Sequence, residues 1–283
     1  MLDLVESAGL QLRVAKRLAP RRGGSLRERL GRLDDRFVFV VGSPRSGTTF
    51  LAGAIGSLPG FIDLGEVAPL KSAIPELVAL PGAEAGKRLR RILALARRIG
   101  LVGTVRPVEQ TPEMAFLIDT AVGVYPGARF VHVIRDGRDV VCSLLQKRWL
   151  KPSGSGRDDA GLPYGAHARF WVEASRREEF ASSSDARRAA WAWRSYVTAA
   201  RSAGAEAIEV RYERLVVESE SVAHELAGAL DAPAGPLAEV LGVAHSVSVG
   251  RYRSELSDAQ LAEVLDEAGA LLAELGYVSS ASA

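Results

Sequence analysis

The sequence predicts an α/β fold in which a central, mainly parallel sheet of about five strands is flanked by helices in three layers. Three observations carry this expectation. The run Phe37-Val38-Phe39-Val40-Val41 is continuously apolar and stops at Gly42, as in a strand buried on both faces of a parallel sheet. Similar runs recur at 61–65, 104–108, 129–134 and 206–211, separated by stretches of helical periodicity. The chain has 283 residues, 47% hydrophobic and 25% charged, which suits one large buried core and excludes a disordered, collagen-like or coiled-coil protein.

Along the chain, residues 1–35 read as a basic N-terminal extension and 36–283 as a single domain. Residues 1–36 carry nine basic residues against five acids, a net +4. Pro20 and the Gly23-Gly24 pair interrupt any continuous amphipathic helix, so a solvated extension is expected in preference to a basic arm on a membrane. After the first strand, Phe50, Leu51, Ala54, Ile55 and Leu58 share one face at helical spacing, completing a strand, glycine loop and helix. Residues 84–99 form a basic helix with Leu89, Ile92, Leu93 and Leu95 among the charges, expected at the surface. A further helix is expected over 112–124. Turn formers dominate 151–166, so a functional or disordered loop is expected there. Ser257-Asp-Ala-Gln260 has the pattern of a capping box before Leu261, Val264, Leu265, Leu271 and Leu275, an amphipathic closing helix.

Charge narrows the function classes. Lys and Arg number 36 and Asp and Glu 34, and this net +2 lacks the footprint of a general nucleic-acid binder. Any anion site must therefore be local. The single cysteine, Cys142, cannot close an intramolecular disulfide and reads as a small packed residue; no Cys/His spacing suggests zinc, and no metal is expected. Neither a signal-peptide pattern nor an apolar run long enough to span a bilayer is present, so a reducing, cytoplasmic setting is expected.

The most informative stretch is Gly42-Ser-Pro44-Arg45-Ser46-Gly47-Thr48-Thr49, at the handover from strand to helix. Its glycines have P-loop spacing, but Thr48 stands where a nucleotidase places its lysine. Triphosphate chemistry thereby loses its main cation. The backbone N–H groups from Ser46 to Thr49, the helix dipole and two hydroxyls still form an anion cradle, and Arg45 brings positive charge from within the loop. The implied ligand carries a phosphate without a triphosphate tail. A small P-loop kinase is the rival that Thr48 argues against.

Gly42-Ser-Pro-Arg-Ser-Gly-Thr-Thr-Phe-Leu51 resembles the 5′-phosphosulfate loop of sulfotransferases that use 3′-phosphoadenosine 5′-phosphosulfate (PAPS), in particular the bacterial-type and tyrosylprotein enzymes, which have a P-loop-type fold. A second family motif, a strand ending in Arg and a helix bearing Ser eight residues on, is met by Arg135 and Ser143. The resemblance implies that Pro44, Arg45, Ser46, Gly47, Thr48 and Thr49 hold the 5′ end of the donor and that Arg135 and Ser143 grip its 3′-phosphate. Lys147, one turn beyond Ser143 on the same helical face, is a plausible third contact. Tyr212, in Val-Arg-Tyr-Glu-Arg-Leu, and Ser248 and Arg251, in Ser-Val-Gly-Arg-Tyr-Arg, fall in regions that contact the nucleotide in related enzymes. The similarity runs from about Phe37 to Leu256.

Sulfonate transfer needs a base for the acceptor hydroxyl and stabilisation of charge on the transferring and leaving groups. Arg45 and the loop amides suit the second task. Glu66 is the candidate base, since Gly65-Glu66 resembles a catalytic segment of the family, although a carboxylate there could simply favour the start of the next helix. His167 is the alternative base. His132, His224 and His245 read as core or surface residues. One departure stands out: many relatives have Lys where this chain has Gln110, in Glu109-Gln110-Thr111-Pro112. That change leaves open a catalytically weak protein that binds PAPS or its product, 3′-phosphoadenosine 5′-phosphate (PAP). The acceptor, a small-molecule, carbohydrate or peptide hydroxyl, has no readable motif; Trp149, Trp171, Trp191 and Trp193 could stack on it or pack in the core.

Overall fold

The computed structural model describes residues 12, 16, 18, 25–147, 150, 169–203, 207–244 and 246–279. Five strands, β1 (Val38–Val41), β2 (Phe61–Gly65), β3 (Arg106–Glu109), β4 (Arg129–Ile134) and β5 (Ala207–Arg211), form one sheet in the order β2-β3-β1-β4-β5. Every pairing is parallel. The sheet thus matches the five predicted strands, with β3 starting two residues later than the apolar pattern suggested.

Strand alternation divides the core. Phe37, Phe39, Val41, Phe130 and Ile134 face one side, and Val38, Val40, Val131 and Val133 face the other. On the first side Phe39 stacks between Phe37 and Phe130, with centroids 4.9 and 5.3 Å away. That side is covered by α3 (Ala68–Ala79), α4 (Gly82–Ile99), α8 (Asp185–Ser202) and α13 (Asp258–Glu274); the other is covered by α2 (Thr48–Gly56), α10 (Ser219–Leu230) and α11 (Ala234–Leu241). The result is the expected three-layer α/β architecture.

Several local expectations are modified by packing. Residues 112–124 are not one helix: a 3₁₀ turn, Pro112–Phe116, is separated from α5 (Ile118–Val124) by Leu117 at φ −127°. The Met114 amide bonds to the Thr111 carbonyl, which tightens the chain after Pro112. The basic helix α4 buries Leu89 and Leu93 as expected, but also Arg97, whose guanidinium donates to the Asp34 carbonyl at 2.5 Å and lies 4.5 Å over the Phe37 ring. In the N-terminal extension, Leu18 is buried against Gly100 instead of being solvated. Trp171, Trp191 and Trp193 are core residues, whereas Trp149 and the 151–166 segment lie outside the described residues. The capping box at α13 forms, Ser257 and Gln260 exchanging side-chain to backbone bonds of 3.3 and 3.0 Å. Among the described residues no helix is long and apolar enough to cross a membrane.

Candidate functional site

Strands β1 and β4 are neighbours, so Gly42 and Arg135, the residues that follow them, emerge side by side at the carboxyl edge of the sheet. In open parallel sheets this edge is where ligands bind. A Cβ on Gly42 would lie 2.5 Å from the Val133 carbonyl oxygen, so only glycine lets the loop leave so close to β4. The loop then turns through two left-handed residues, Arg45 (φ 73°) and Gly47 (φ 99°), before α2 begins at Thr48. A non-glycine residue in that region costs about 1–2 kcal/mol, and Arg45 is held there by the Arg135 guanidinium, which donates to its carbonyl at 3.2 Å. No side chain caps α2. Its first amides and positive dipole end face the cleft.

The cleft has a volume of about 330 Å³ and is lined by Arg45, Gly47, Thr48, Thr49, Phe50, Arg135, Tyr212, Val243, Ala244 and Ser248. Arg135 organises one wall. Its guanidinium donates to the Ser248 carbonyl as well as to Arg45, and sits 4.7 Å over the Tyr212 ring. The Tyr212 and Ser248 hydroxyls are 3.3 Å apart. The Tyr212 ring lies so close to Gly47 that a Cβ there would approach it to 2.8 Å. Two buried polar atoms, Ser46 Oγ and Arg135 Nε, have no hydrogen-bond partner among the described residues, and of the two residues Arg135 lines the cleft. A buried donor without a partner is costly, and an anionic ligand beside Arg135 would lower that cost.

Ser143 comes to this wall from α6 (Gly137–Leu145), whose amino end is capped by the Asp136 side chain accepting from the Arg138 amide. Arg45 Nε donates to Ser143 Oγ at 3.0 Å, so a guanidinium expected at the 5′ end of the donor and a hydroxyl expected at its 3′ end are joined directly. The helix α6 ends at Leu145, so Lys147, expected on the helical face of Ser143, lies two residues past the helix end. Arg251 is engaged by Glu255, at 2.8 and 2.6 Å, and does not line the cleft. The segment bearing Ser248 is instead fixed by a residue that sequence reasoning missed. Buried Asp139, on α6, accepts from the Gly250 and Tyr252 amides at 2.7 and 3.0 Å. Its position one turn after Arg135 was the available signal.

Glu66 belongs to a second group. Gln110 joins that group to the loop, its amide donating to the Gly65 carbonyl at 3.4 Å while its Oε1 accepts from Thr49 Oγ1 at 3.2 Å. Gln110 therefore touches the residue that follows Thr48 at the end of the glycine loop. Glu66 itself does not cap α3, whose N-cap is Val67; its carboxylate pairs with Lys71 Nζ at 2.7 Å. Lys71 also lies 3.7 Å from Glu113 Oε1, which accepts from Tyr196 Oη at 3.1 Å. All three charged side chains are largely shielded, 12–15% exposed. Lys71, Glu113 and Tyr196 escaped the sequence reading because they come from three separate elements with no motif spacing. Behind them, burial pushes the Glu109 carboxyl up to about 8, with the charge of Glu66 adding to the effect and the hydrogen bonds from Thr111 opposing it.

The remaining candidates separate cleanly. His132 is buried in β4, and burial lowers its pKa to about 4. His224 is exposed on α10, and Cys142 is packed in α6, its thiol pushed up to about 11 by burial. His167 and His245 lie outside the described residues.

Residues 96–236 match the model of a family described as the sulfotransferase family. The match includes Arg135, Ser143 and Tyr212 and begins after the glycine loop. Among solved structures, the chain is similar to the sulfotransferase domain from the curacin biosynthetic pathway, at 14% identity over 80% of this chain and 84% of that one, with a TM-score of 0.47. It is also similar to the sulfotransferase domain of the Synechococcus PCC 7002 olefin synthase, at 16% identity over 85% and 95%, with a TM-score of 0.45. Sulfotransferase STF9 from Mycobacterium avium is 12% identical over 88% of this chain and 77% of that one, with a TM-score of 0.47. No curated protein matches the sequence.

Proposed function

Through residues 96–236 the chain belongs to the sulfotransferase family, and from that premise we propose that it transfers the sulfonate of PAPS to an acceptor hydroxyl by in-line displacement, leaving PAP and a sulfate ester. The observation that carries the choice of donor is the cleft itself. It combines a lysine-free glycine loop with Arg45 and with Arg135, whose buried Nε has no hydrogen-bond partner among the described residues. Such a site fits a small ligand with separated anionic groups better than a triphosphate with magnesium.

When bound, the donor supplies a sulfonate activated by its link to a 5′-phosphate. The chain's own residues supply the rest. The amides from Ser46 to Thr49 and the helix dipole hold the 5′ end and stabilise the charge that develops on it. Arg135 faces the 3′-phosphate with Ser143, and Phe50, Val243 and Ala244 offer an apolar wall to a base. Arg45 carries the positive charge that Gln110 lacks, while Gln110 keeps Thr49 oriented by their hydrogen bond. Glu66 takes the acceptor proton, and Lys71 keeps that carboxylate in place. An alternative assignment gives the proton to His167.

Titration calorimetry with PAP tests the donor, with binding expected and its absence overturning the proposal. Transfer of labelled sulfonate from PAPS to a mixed library of sugars, phenols, lipids and tyrosine peptides then defines the acceptor class.

A further inference from the structure

The exposed cations of this protein are distributed unevenly. Over most of the surface an arginine carries an acid partner, as in Arg187 with Asp266 at 2.6 Å, Arg214 with Glu218 at 2.8 Å and Arg176 with Glu179 at 2.8 Å. The outer face of α4 differs. Lys87, Arg91 and Arg98 are exposed and have no ion-pair partner among the described residues. With Leu95, which is 44% exposed, they recur at helical spacing over about 16 Å on the side opposite buried Leu89 and Leu93. Glu84, at the amino end of α4, is the acid on this stripe.

The N-terminal segment adjoins this helix and repeats its chemistry. Leu18 covers Gly100 at the carboxyl end of α4, the Asp34 amide donates to the Gly103 carbonyl at 3.2 Å, and Arg97 holds the Asp34 carbonyl. Between these anchors, Arg27 and Arg32 are exposed without an acid partner among the described residues, and Leu26 and Leu30, one turn apart on α1 (Leu26–Leu30), are 66% and 65% exposed. Outside this region, Arg129, Arg177 and Arg253 are isolated exposed cations that no acid neutralises among the described residues.

We propose that the α4 face and residues 26–32 form a docking surface for an anionic lipid bilayer, on which the cations meet headgroups and the exposed leucines enter the interface. Unneutralised charge calls for an anionic partner. The interleaved leucines favour lipid over nucleic acid, because each can bury apolar area only in an interface that offers some. Arg97 and Gly103 both bond to Asp34, so the carboxyl end of α4 lies beside the segments that lead into β1 and β3, whereas the cleft is lined by residues that follow β1 and β4. This inference is independent of the donor and the acceptor.

The test is co-sedimentation of the full chain with extruded vesicles of phosphatidylcholine alone or with about 30 mol% phosphatidylglycerol, in about 0.1 M and about 0.5 M salt. Binding is expected on the anionic vesicles, weaker at high salt, and absent on neutral ones. Replacing Lys87, Arg91 and Arg98 together by Glu should lower partitioning more than about tenfold with an unchanged melting curve, since all three side chains are exposed. The Leu26→Ser, Leu30→Ser, Leu95→Ser triple variant should weaken vesicle binding while leaving any binding to a double-stranded oligonucleotide unchanged. Absence of binding to anionic vesicles, equal binding to neutral ones, or indifference to both triple variants would overturn the proposal. An oligonucleotide bound more tightly than the vesicles would reassign the surface to a polyanion and also overturn it.

Discussion

The cleft around Arg135 and the cluster around Glu66 lie on either side of Gln110 and treat their charges in opposite ways. In the cleft, Arg135 Nε is buried without a partner among the described residues, and Arg45 is kept in a left-handed conformation by a contact from Arg135. In the cluster, Lys71 stands between two carboxylates, and Tyr196 bonds to the second of them. The difference teaches which half needs a ligand. A buried donor without a partner is completed by an anion, whereas a lysine set between two carboxylates is suited to hold one of them, Glu66, in a fixed place.

The largest effect expected from breaking this division is on turnover. Glu66→Gln should lower sulfonate transfer about 10²–10⁴-fold, the range for loss of a general base, while PAP affinity by calorimetry changes less than about twofold. Transfer at the wild-type rate would move the base to His167. Next, Arg135→Ala removes the bond to Arg45, the bond to Ser248 and the stacking on Tyr212, and should weaken PAP binding about 10–100-fold. An equal loss for Arg251→Ala would instead place Arg251 beside the nucleotide.

Lys71→Met, a smaller change, should reduce turnover about tenfold without altering PAP affinity, and Lys71→Arg should recover part of it. A drop in PAP affinity would show that cleft and cluster are not separate. The smallest effect concerns stability. Folded Glu109 holds its proton up to about pH 8, while the unfolded carboxyl releases it near its ordinary value of 4.5, so this contribution is complete below about 4.5 and is lost as pH rises towards 8. Glu109→Gln, which stays neutral, should therefore gain melting temperature over the wild type at about pH 8 and little at about pH 5, by a few kcal/mol at most. Parallel pH profiles for the two proteins would show that Glu109 is ionised in the fold.

Legibility followed the range of the interactions. The central strands β1 and β4 could be read from apolar runs because a central parallel strand is buried on both faces and nearly every residue in it answers the same demand, whereas the edge strand β5 is only partly buried. The loop could be read because its glycine spacing is local and Gly47 answers a local demand for a left-handed φ of 99°, whereas the neighbours that the glycines make room for, Val133 and Tyr212, are distant in sequence. The break at Leu117 and the burial of Leu18 and Arg97 could not, since each depends on a surface supplied by a distant segment. The end of α6 at Leu145, short of Lys147, was not legible for a local reason, as a helix end without a glycine or proline gives little warning.

Alone, the sequence determined the α/β layers, the strand, glycine loop and helix at the candidate site, and the reaction class that Thr48 argues against. It also required that a near-neutral chain place its anion site locally. Only the tertiary structure decided that Arg45 meets Ser143, that Asp139 secures the segment carrying Ser248, and that Lys71 stands between Glu66 and Glu113. The physical reason is separation along the chain. Periodicity and backbone sterics act within a few residues, whereas hydrogen bonds and ion pairs select partners by distance in space, which exists only once the sheet has brought its carboxyl ends together.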